Sequence, residues 1–253
     1  MRKWLVLAGS GLVLFVWLVL RSAPAQLLAP VADRAGFPVQ LQWLDGTVWA
    51  GHAGYAEISL NGGTLPLGDV SWTLSPWSLM LLSPSVTVET TGLQLELSAS
   101  ARISATGNWS VTAARGHFPL HLLEAWVPQL VSGEVLFDIA EAHGRNDRLF
   151  GVKGIVNLRN AQWLVGNFPM PLGHYHADIG EQDNSISLVL DSDPASPLIV
   201  TGAATATPDG RYQLNIRLYP QDSLASELKQ SLSWLGRREA DGAIRVKKEG
   251  LWP

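Results

Sequence analysis

The chain has 253 residues, of which 47% are apolar and only 16% charged, and its formal net charge is −4. This charge gives no electrostatic case for nucleic-acid binding, which needs clustered Lys and Arg. The chain contains no cysteine, which excludes disulfides and thiolate metal ligands.

The N-terminal segment predicts a membrane anchor within residues 1–25. Arg2 and Lys3 precede an uncharged run from Trp4 to Leu20, which as a helix just crosses a hydrocarbon core of about 30 Å. The alternative is a cleaved signal peptide, with Ala23-Pro24-Ala25 as its processing site. The run is long for a signal peptide, and proline beside the cleavage point is unfavourable. In both cases the two positive charges keep the N-terminus in the cytoplasm and the body is exported.

The exported part, residues 26–253, predicts an antiparallel β structure. Apolar and polar residues alternate in short runs, which is typical of strands with one wet face and one apolar face. Turn sequences rich in Gly, Asn and Pro separate these runs and favour hairpins over βαβ units. The alternating runs are 86–88, 93–97, 186–190 and 212–218, and the last is expected to pair with residues 198–206.

Helical patterns are few outside the anchor. One covers residues 117–130, and a clearer one covers 222–235, where four leucines form a stripe that ends at Gly236. A closing strand is expected around Ile244. The predicted fold is therefore mainly β, a curved antiparallel sheet or sandwich with a short C-terminal helix. A closed or nearly closed sandwich is favoured, because the strands carry Val, Leu and Ile of ordinary core size.

An internal repeat is also indicated. The segment LPLGDVSWTL (65–74) is similar to MPLGHYHADI (170–179), and a tryptophan with a nearby glycine precedes each. The similarity predicts two duplicated β units with a boundary near residues 107–128.

Motifs of catalytic chemistry are missing from the sequence. There is no G-x-S-x-G segment, no cysteine nucleophile and no phosphate-binding loop. His174, His176 and Asp178 are the best metal candidates, because a strand places all three on one side. No fourth ligand is evident nearby, so a solvated strand face is the simpler interpretation. The expectation is a protein that is not an enzyme and has no catalytic, cofactor-binding or metal-binding residues.

Two segments that contain tryptophan stand out, and the first of them is also rich in glycine. The first is GTVWAG (46–51), and the second is WTLSPWSL (72–79). With the preceding anchor and the tail LSWLGRREADGAIRVKKEG (232–250), they resemble the type II secretion system protein N family (GspN), whereas residues 110–165 match nothing distinctive. The glycines permit a positive φ or a close backbone approach. The motif residues are expected to be structural: Gly46, Thr47, Trp49, Gly51, Trp72, Leu74, Pro76, Trp77 and Leu79.

The resemblance implies an accessory component of the type II secretion system in the cell inner membrane. It implies a single-pass protein with a cytoplasmic N-terminus and a periplasmic body. Such a component would take part in the export of folded proteins across the outer membrane through contacts with other inner-membrane subunits. The alternative is an AsmA-like periplasmic module that binds or transfers lipid. A lipid carrier needs an open apolar groove, whereas a scaffold needs a closed core.

Overall fold

The computed structural model describes residues 21–35, 38–60, 63–80, 82–92, 95–125, 131–146, 148–165, 168–183, 185–232 and 236–251. The anchor run predicted over residues 4–20 lies outside these ranges. Within them, no helix has the length and apolar character needed to cross a membrane.

One antiparallel sheet of 14 strands makes up most of the described chain. Each strand pairs with the next one along the chain, except that β13 lies outside β14 at the last edge. The prediction of a mainly β, antiparallel body is confirmed. The strands are β1 (Val39–Gly46), β2 (Ala50–Leu60), β3 (Gly63–Leu74), β4 (Ser85–Thr91), β5 (Glu96–Ile103), β6 (Asn108–Pro119), β7 (Val131–Arg145), β8 (Arg148–Val165), β9 (Phe168–Gln182), β10 (Ser185–Ser192), β11 (Leu198–Ala206), β12 (Arg211–Pro220), β13 (Arg237–Arg238) and β14 (Ile244–Leu251).

Three of the four alternating runs lie within strands, with 86–88 in β4, whereas the run 93–97 overlaps only the start of β5 and has residues 93 and 94 outside the described ranges. The run 186–190 lies in β10, and the run 212–218 lies in β12. The predicted hairpin is confirmed, because β11 pairs with β12 from Leu198–Pro220 to Ala206–Tyr212. The expected closing strand is confirmed as β14, which pairs with β12.

Short helical segments precede β1 and lie between some of the later strands. They are the 3₁₀ turns Ala25–Leu27 and Leu120–Leu123 and the helices α1 (Leu28–Ala35), α2 (Pro76–Met80) and α3 (Ser226–Leu232). The helix predicted within 222–235 is confirmed as the shorter α3. The helix predicted over 117–130 is wrong at its start, since β6 continues to Pro119 and a 3₁₀ turn follows at Leu120–Leu123. Residues 126–130 of the predicted helix lie outside the described ranges. Pairing of Phe118 with Val135 of β7 holds this segment in the sheet and overrides its helical spacing.

The expectation of a closed or nearly closed sandwich is wrong, because the described strands form one open sheet. Strand β1 pairs with β2 alone and β13 with β14 alone, so the two ends of the sheet do not pair with each other. The sheet is continuous through residues 107–128, since β6 pairs with both β5 and β7. The duplicated units with a boundary in this segment stay a prediction.

The core lies on one face of the sheet, where helical segments cover it at three places. Near the N-terminus, Ala25 packs with Ala53 and Trp72. Further along, the chain around Leu122 packs on a cluster that includes Leu67 and Leu95. At the other edge, three leucines of the α3 region pack on strands β8, β9, β11, β12 and β14. This cover by helical segments, and not a second sheet, shields the apolar side chains that the alternation predicts.

Candidate functional site

The segment Gly46 to Gly51 forms the tight turn between β1 and β2. The Thr47 N–H donates to the Ala50 carbonyl at 2.9 Å, and the Ala50 N–H donates to the Thr47 hydroxyl at 3.1 Å. Gly46 has a φ of +83°, and a Cβ at this position would lie 2.7 Å from the Ala50 carbonyl oxygen. The turn therefore requires glycine at position 46.

Trp72 connects this turn to the second motif segment. A Cβ at Gly51 would lie 2.4 Å from the Trp72 ring, so the indole occupies the space that the missing side chain leaves. The indole N–H donates to the Val48 carbonyl at 3.1 Å. The Leu74 N–H also donates to the Trp49 carbonyl at 2.7 Å. The two motif segments, separated in sequence, therefore make one packed unit.

The other motif residues divide between interior and surface. Trp49 and Leu74 are half-buried, and Trp72 is only 8% exposed. Pro76 and Trp77 lie exposed on α2, where Trp77 is 75% exposed and contributes no packing to the core. Leu79 follows on the same helix and is 39% exposed.

The segment that follows the apolar N-terminal run is fixed to the same turn. The Val48 N–H donates to the Ala23 carbonyl at 2.9 Å, and Pro24 forms an antiparallel bridge with Thr47. Ala25 is completely buried beneath the sheet. The sequence does not predict this docking, because a single bridge leaves no periodic pattern in it.

An apolar cavity of about 400 Å³ lies between α1 and the first four strands. Its size falls within the range of small-ligand pockets. Every lining residue is apolar, so the cavity has the chemistry to hold hydrocarbon and offers no group for acid–base chemistry. The lining residues are Leu28, Ala32, Val39, Leu41, Val48, Ala56, Ile58, Leu67, Val70, Trp72, Leu74, Val86 and Val88.

A second cavity of about 330 Å³ lies on the same face of the sheet, at strands β7 to β11. Tyr175 lines it and donates its hydroxyl to the carbonyls of Leu172, at 3.0 Å, and Leu198, at 3.1 Å. Burial raises the pKa of the Tyr175 hydroxyl well above its usual value, so this group is neutral and acts as a donor.

The metal candidates of β9 lie on the opposite, polar face. His176 contacts the Asn157 side chain at 2.7 Å and Asp178 at 3.2 Å, while His174 accepts a hydrogen bond from the Asn160 N–H. Over the described part of the chain, no three His, Asp or Glu side chains come close enough together to hold a metal ion. These contacts are those of a hydrogen-bonded strand surface.

The C-terminal motif segment forms the last hairpin of the sheet. Arg217 of β12 pairs with both Glu239 and Asp241, and the hydrogen bond with Glu239 raises the pKa of the guanidinium. Arg245 donates to the other oxygen of Glu239 at 3.0 Å. The polar residues between α3 and β14 therefore fasten this hairpin to the neighbouring strand.

Comparisons with known proteins agree on one family. The family model described as "Type II secretion system (T2SS), protein N" matches residues 38–247. A protein of that name from Aeromonas hydrophila is 23% identical, with 99% of each chain aligned. Another from Klebsiella pneumoniae is 26% identical over 93% of this chain and 91% of its own. No solved structure matches the chain significantly. The matched region contains both motif segments and most of the sheet, and the chain belongs to the type II secretion system protein N family.

Proposed function

We propose that this protein is an inner-membrane accessory component of the type II secretion system. It spans the membrane once through residues 4–20, with its N-terminus in the cytoplasm and its sheet in the periplasm. It takes part in the export of folded proteins through contacts with other inner-membrane subunits, and not through catalysis. The main support is the alignment over nearly the whole length of two relatives named as secretion-system proteins.

The structure offers physical support for an anchored body. Ala23 and Pro24, just after the apolar run, are bound to the turn at Val48 and Thr47. The run therefore leaves the sheet from a fixed point, and not from a long linker. A body held in this way has a defined orientation at the membrane surface, which suits a subunit that acts by contact.

Fractionation and a topology reporter test the anchor. The full chain is expected in the membrane fraction after washing with high salt, and a periplasm-specific reporter fused after Pro253 is expected to be active. A shortened chain that is released with the soluble periplasmic proteins would overturn the anchor and support a cleaved signal peptide.

Site-specific crosslinking tests the proposed contacts. Trp43 is 75% exposed on the edge strand β1 and is a suitable position for a photo-crosslinking residue. Crosslinks to other secretion subunits in cells, together with loss of secretion when the chain is deleted, are the expected results. Normal secretion in the deletion strain would contradict the proposed function.

Lipid binding is the second candidate function, and one specific observation favours it. The sheet is open, and its apolar face contains the 400 Å³ cavity lined by apolar residues alone. This cavity lies beside the turn that receives the chain from the proposed anchor, where a lipid acyl chain would have a short path from the bilayer.

Mass spectrometry of the gently purified full chain tests this second function. Bound phospholipid is expected for the native chain and is expected to be lost in Ile58→Trp, which fills the cavity with an indole. Val189→Trp is the matched control, because Val189 is 55% exposed on the opposite face of the sheet. Absence of lipid from the native chain, or equal amounts in both variants, would reject the lipid-binding function.

A further inference from the structure

An uncharged, apolar loop projects from the sheet between β3 and β4. The sequence contains no charged residue between Asp69 and Glu89. Within the loop, Trp77 is 75% exposed and Leu82 is 71% exposed, and Leu79 adds a third apolar side chain at the surface. Exposure of two large apolar side chains at this level costs solvation free energy, which a partner or a bilayer relieves.

Hydrogen bonds hold the described residues of the loop, 75–80 and 82–84, in a defined conformation. The Ser78 hydroxyl donates to the Ser75 carbonyl at 2.6 Å and accepts a hydrogen bond from the Ser85 N–H at 2.9 Å. The Ser83 N–H also donates to the Ser78 carbonyl at 3.0 Å. Ser78 thus ties both ends of the loop together while its neighbour Trp77 points away from the core. The apolar side chains are held at the surface by this network.

The loop lies at the same end of the sheet as the N-terminal segment. In an antiparallel meander every second connection falls at the same end, which places the β3–β4 loop beside the β1–β2 turn. Hydrogen bonds trace the path: Ala23 contacts Val48, and the next residue, Trp49, contacts Leu74 immediately before the loop. Two hydrogen bonds, at Val48 and at Leu74, therefore connect the segment after the apolar run to the start of the loop that carries Trp77.

The connections at this end of the sheet differ in charge between those near the N-terminal segment and those further along the chain. The neighbouring β5–β6 turn, 104–107, has no charged residue, and Ile103 before it is 42% exposed. The turns further from the N-terminus carry exposed charges on both sides, with Arg145 and Arg148 at β7–β8 and Asp209 and Arg211 at β11–β12. The three connections nearest the apolar run, 46–51, 75–84 and 104–107, are themselves uncharged, and the exposed charges beside them include Arg21, Asp45 and Arg102. This composition suits a membrane-facing surface better than that of the later turns.

We propose that Trp77 and Leu82 of the β3–β4 loop insert into the interface of the inner membrane beside the anchor, where they lie among the lipid headgroups and upper acyl chains. Tryptophan favours this depth, because its ring is apolar and its N–H finds polar partners there. Arg102, which pairs with Ser85 at the base of the loop, is exposed and places a positive charge where anionic headgroups lie. The inference rests on the proposed anchor and adds a second membrane contact that fixes the tilt of the sheet.

The absence of cysteine makes single-site labelling of the full chain straightforward. Trp77→Cys and Leu82→Cys each receive an environment-sensitive NBD label, and the chain is reconstituted into vesicles of phosphatidylethanolamine and phosphatidylglycerol. Phe168→Cys is the matched control, since Phe168 is 76% exposed but lies at the opposite end of the sheet. Leu12→Cys, in the middle of the apolar run, reports on the anchor itself.

The expected result is a blue shift and loss of most NBD fluorescence with lipids that carry a quencher near the headgroup, at positions 77 and 82 but not at 168. Position 12 is read with lipids that carry the quencher at the end of the acyl chains, because the middle of a spanning run lies about 15 Å from the headgroups. Quenching at 12 by these lipids, with no headgroup quenching at 77 or 82, would overturn the inference and leave the anchor intact. No acyl-chain quenching at 12 would reject the anchor first. If the NBD emission at 77 and 82 shifts to the blue only when other secretion subunits are added, and lipid quenchers have no effect, the loop binds protein and the membrane proposal is wrong. Unchanged thermal unfolding of each labelled chain verifies its fold.

Discussion

The indole of Trp72 lies over Gly51, in the space that any larger residue at position 51 would fill. A Cβ there would be 2.4 Å from the ring and 2.8 Å from the Thr47 carbonyl oxygen. The pair joins strands β2 and β3 beside the turn that receives the N-terminal segment. The same relationship recurs in the next part of the sheet, where Trp109 lies over Gly144 at the same end.

Gly51→Ala is expected to destabilise the protein by about 1–3 kcal/mol, because the added methyl group collides with backbone atoms that cannot move independently. Thermal unfolding of the purified chain measures the effect. Gly180→Ala is the matched control, since its Cβ would meet only the Ser187 hydroxyl at 3.7 Å. Equal stability of the two variants would show that the contact of Trp72 with Gly51 is not tight.

Trp72→Ala and Trp77→Ala are expected to differ sharply, although both residues belong to one motif. Trp72 is 8% exposed and hydrogen-bonded, so its truncation is expected to cost about 3–5 kcal/mol. Trp77 is 75% exposed, and its loss is expected to change stability by less than about 0.5 kcal/mol. Urea unfolding of both variants checks this. A large loss in Trp77→Ala would mean that the loop packs more tightly than its exposure indicates.

Leu228→Ala is expected to cost about 2–5 kcal/mol, because this side chain of α3 is 2% exposed and fills the largest core cluster. Leu251→Ala serves as the comparison, since Leu251 is 72% exposed at the end of β14. The midpoint of thermal unfolding is the measurement. A small effect at Leu228 would show that α3 is not an essential cover of the open sheet.

Tyr175→Phe is expected to lower stability by about 1 kcal/mol at pH 8, because two buried carbonyls lose their shared donor. The pKa of Tyr175 is raised in the folded state above its ordinary value of 10.0. Its contribution is therefore complete below pH 10 and is lost as the pH rises through the folded pKa. Chemical unfolding from pH 8 to pH 11 should show the difference between native chain and variant narrowing. A constant difference would contradict the burial of this hydroxyl.

Much of the strand content could be predicted from local sequence. Alternation over 186–190 and 212–218 places every second side chain on one face, and the covalent geometry of an extended chain imposes this period wherever the segment lies. The stripe of leucines in 222–235 predicts α3 for the same reason, since its period is that of a helix. The motif segments predicted the family, and Gly46 carries the positive φ that such a turn requires.

Local patterns could not predict how the sheet ends or which motif residues lie inside. Trp72 and Trp77 look alike in sequence, yet only Trp72 has a glycine opposite it on the neighbouring strand. Residues 117–119 have helical spacing, but their backbone groups pair with β7. These outcomes depend on partners far away in the chain.

The sequence by itself determined the period of each strand, the sharp turn at Gly46 and the uncharged run before Arg21, because these depend on neighbouring residues alone. Only the tertiary structure decided that the sheet stays open, that Ala23 binds the turn at Val48 and that the loop bearing Trp77 lies beside it. The physical reason is that competing long-range contacts decide these features. Their free energies determine whether the first and last strands pair and where helical segments pack over the apolar face. Such contacts leave no periodic pattern in the residues that make them.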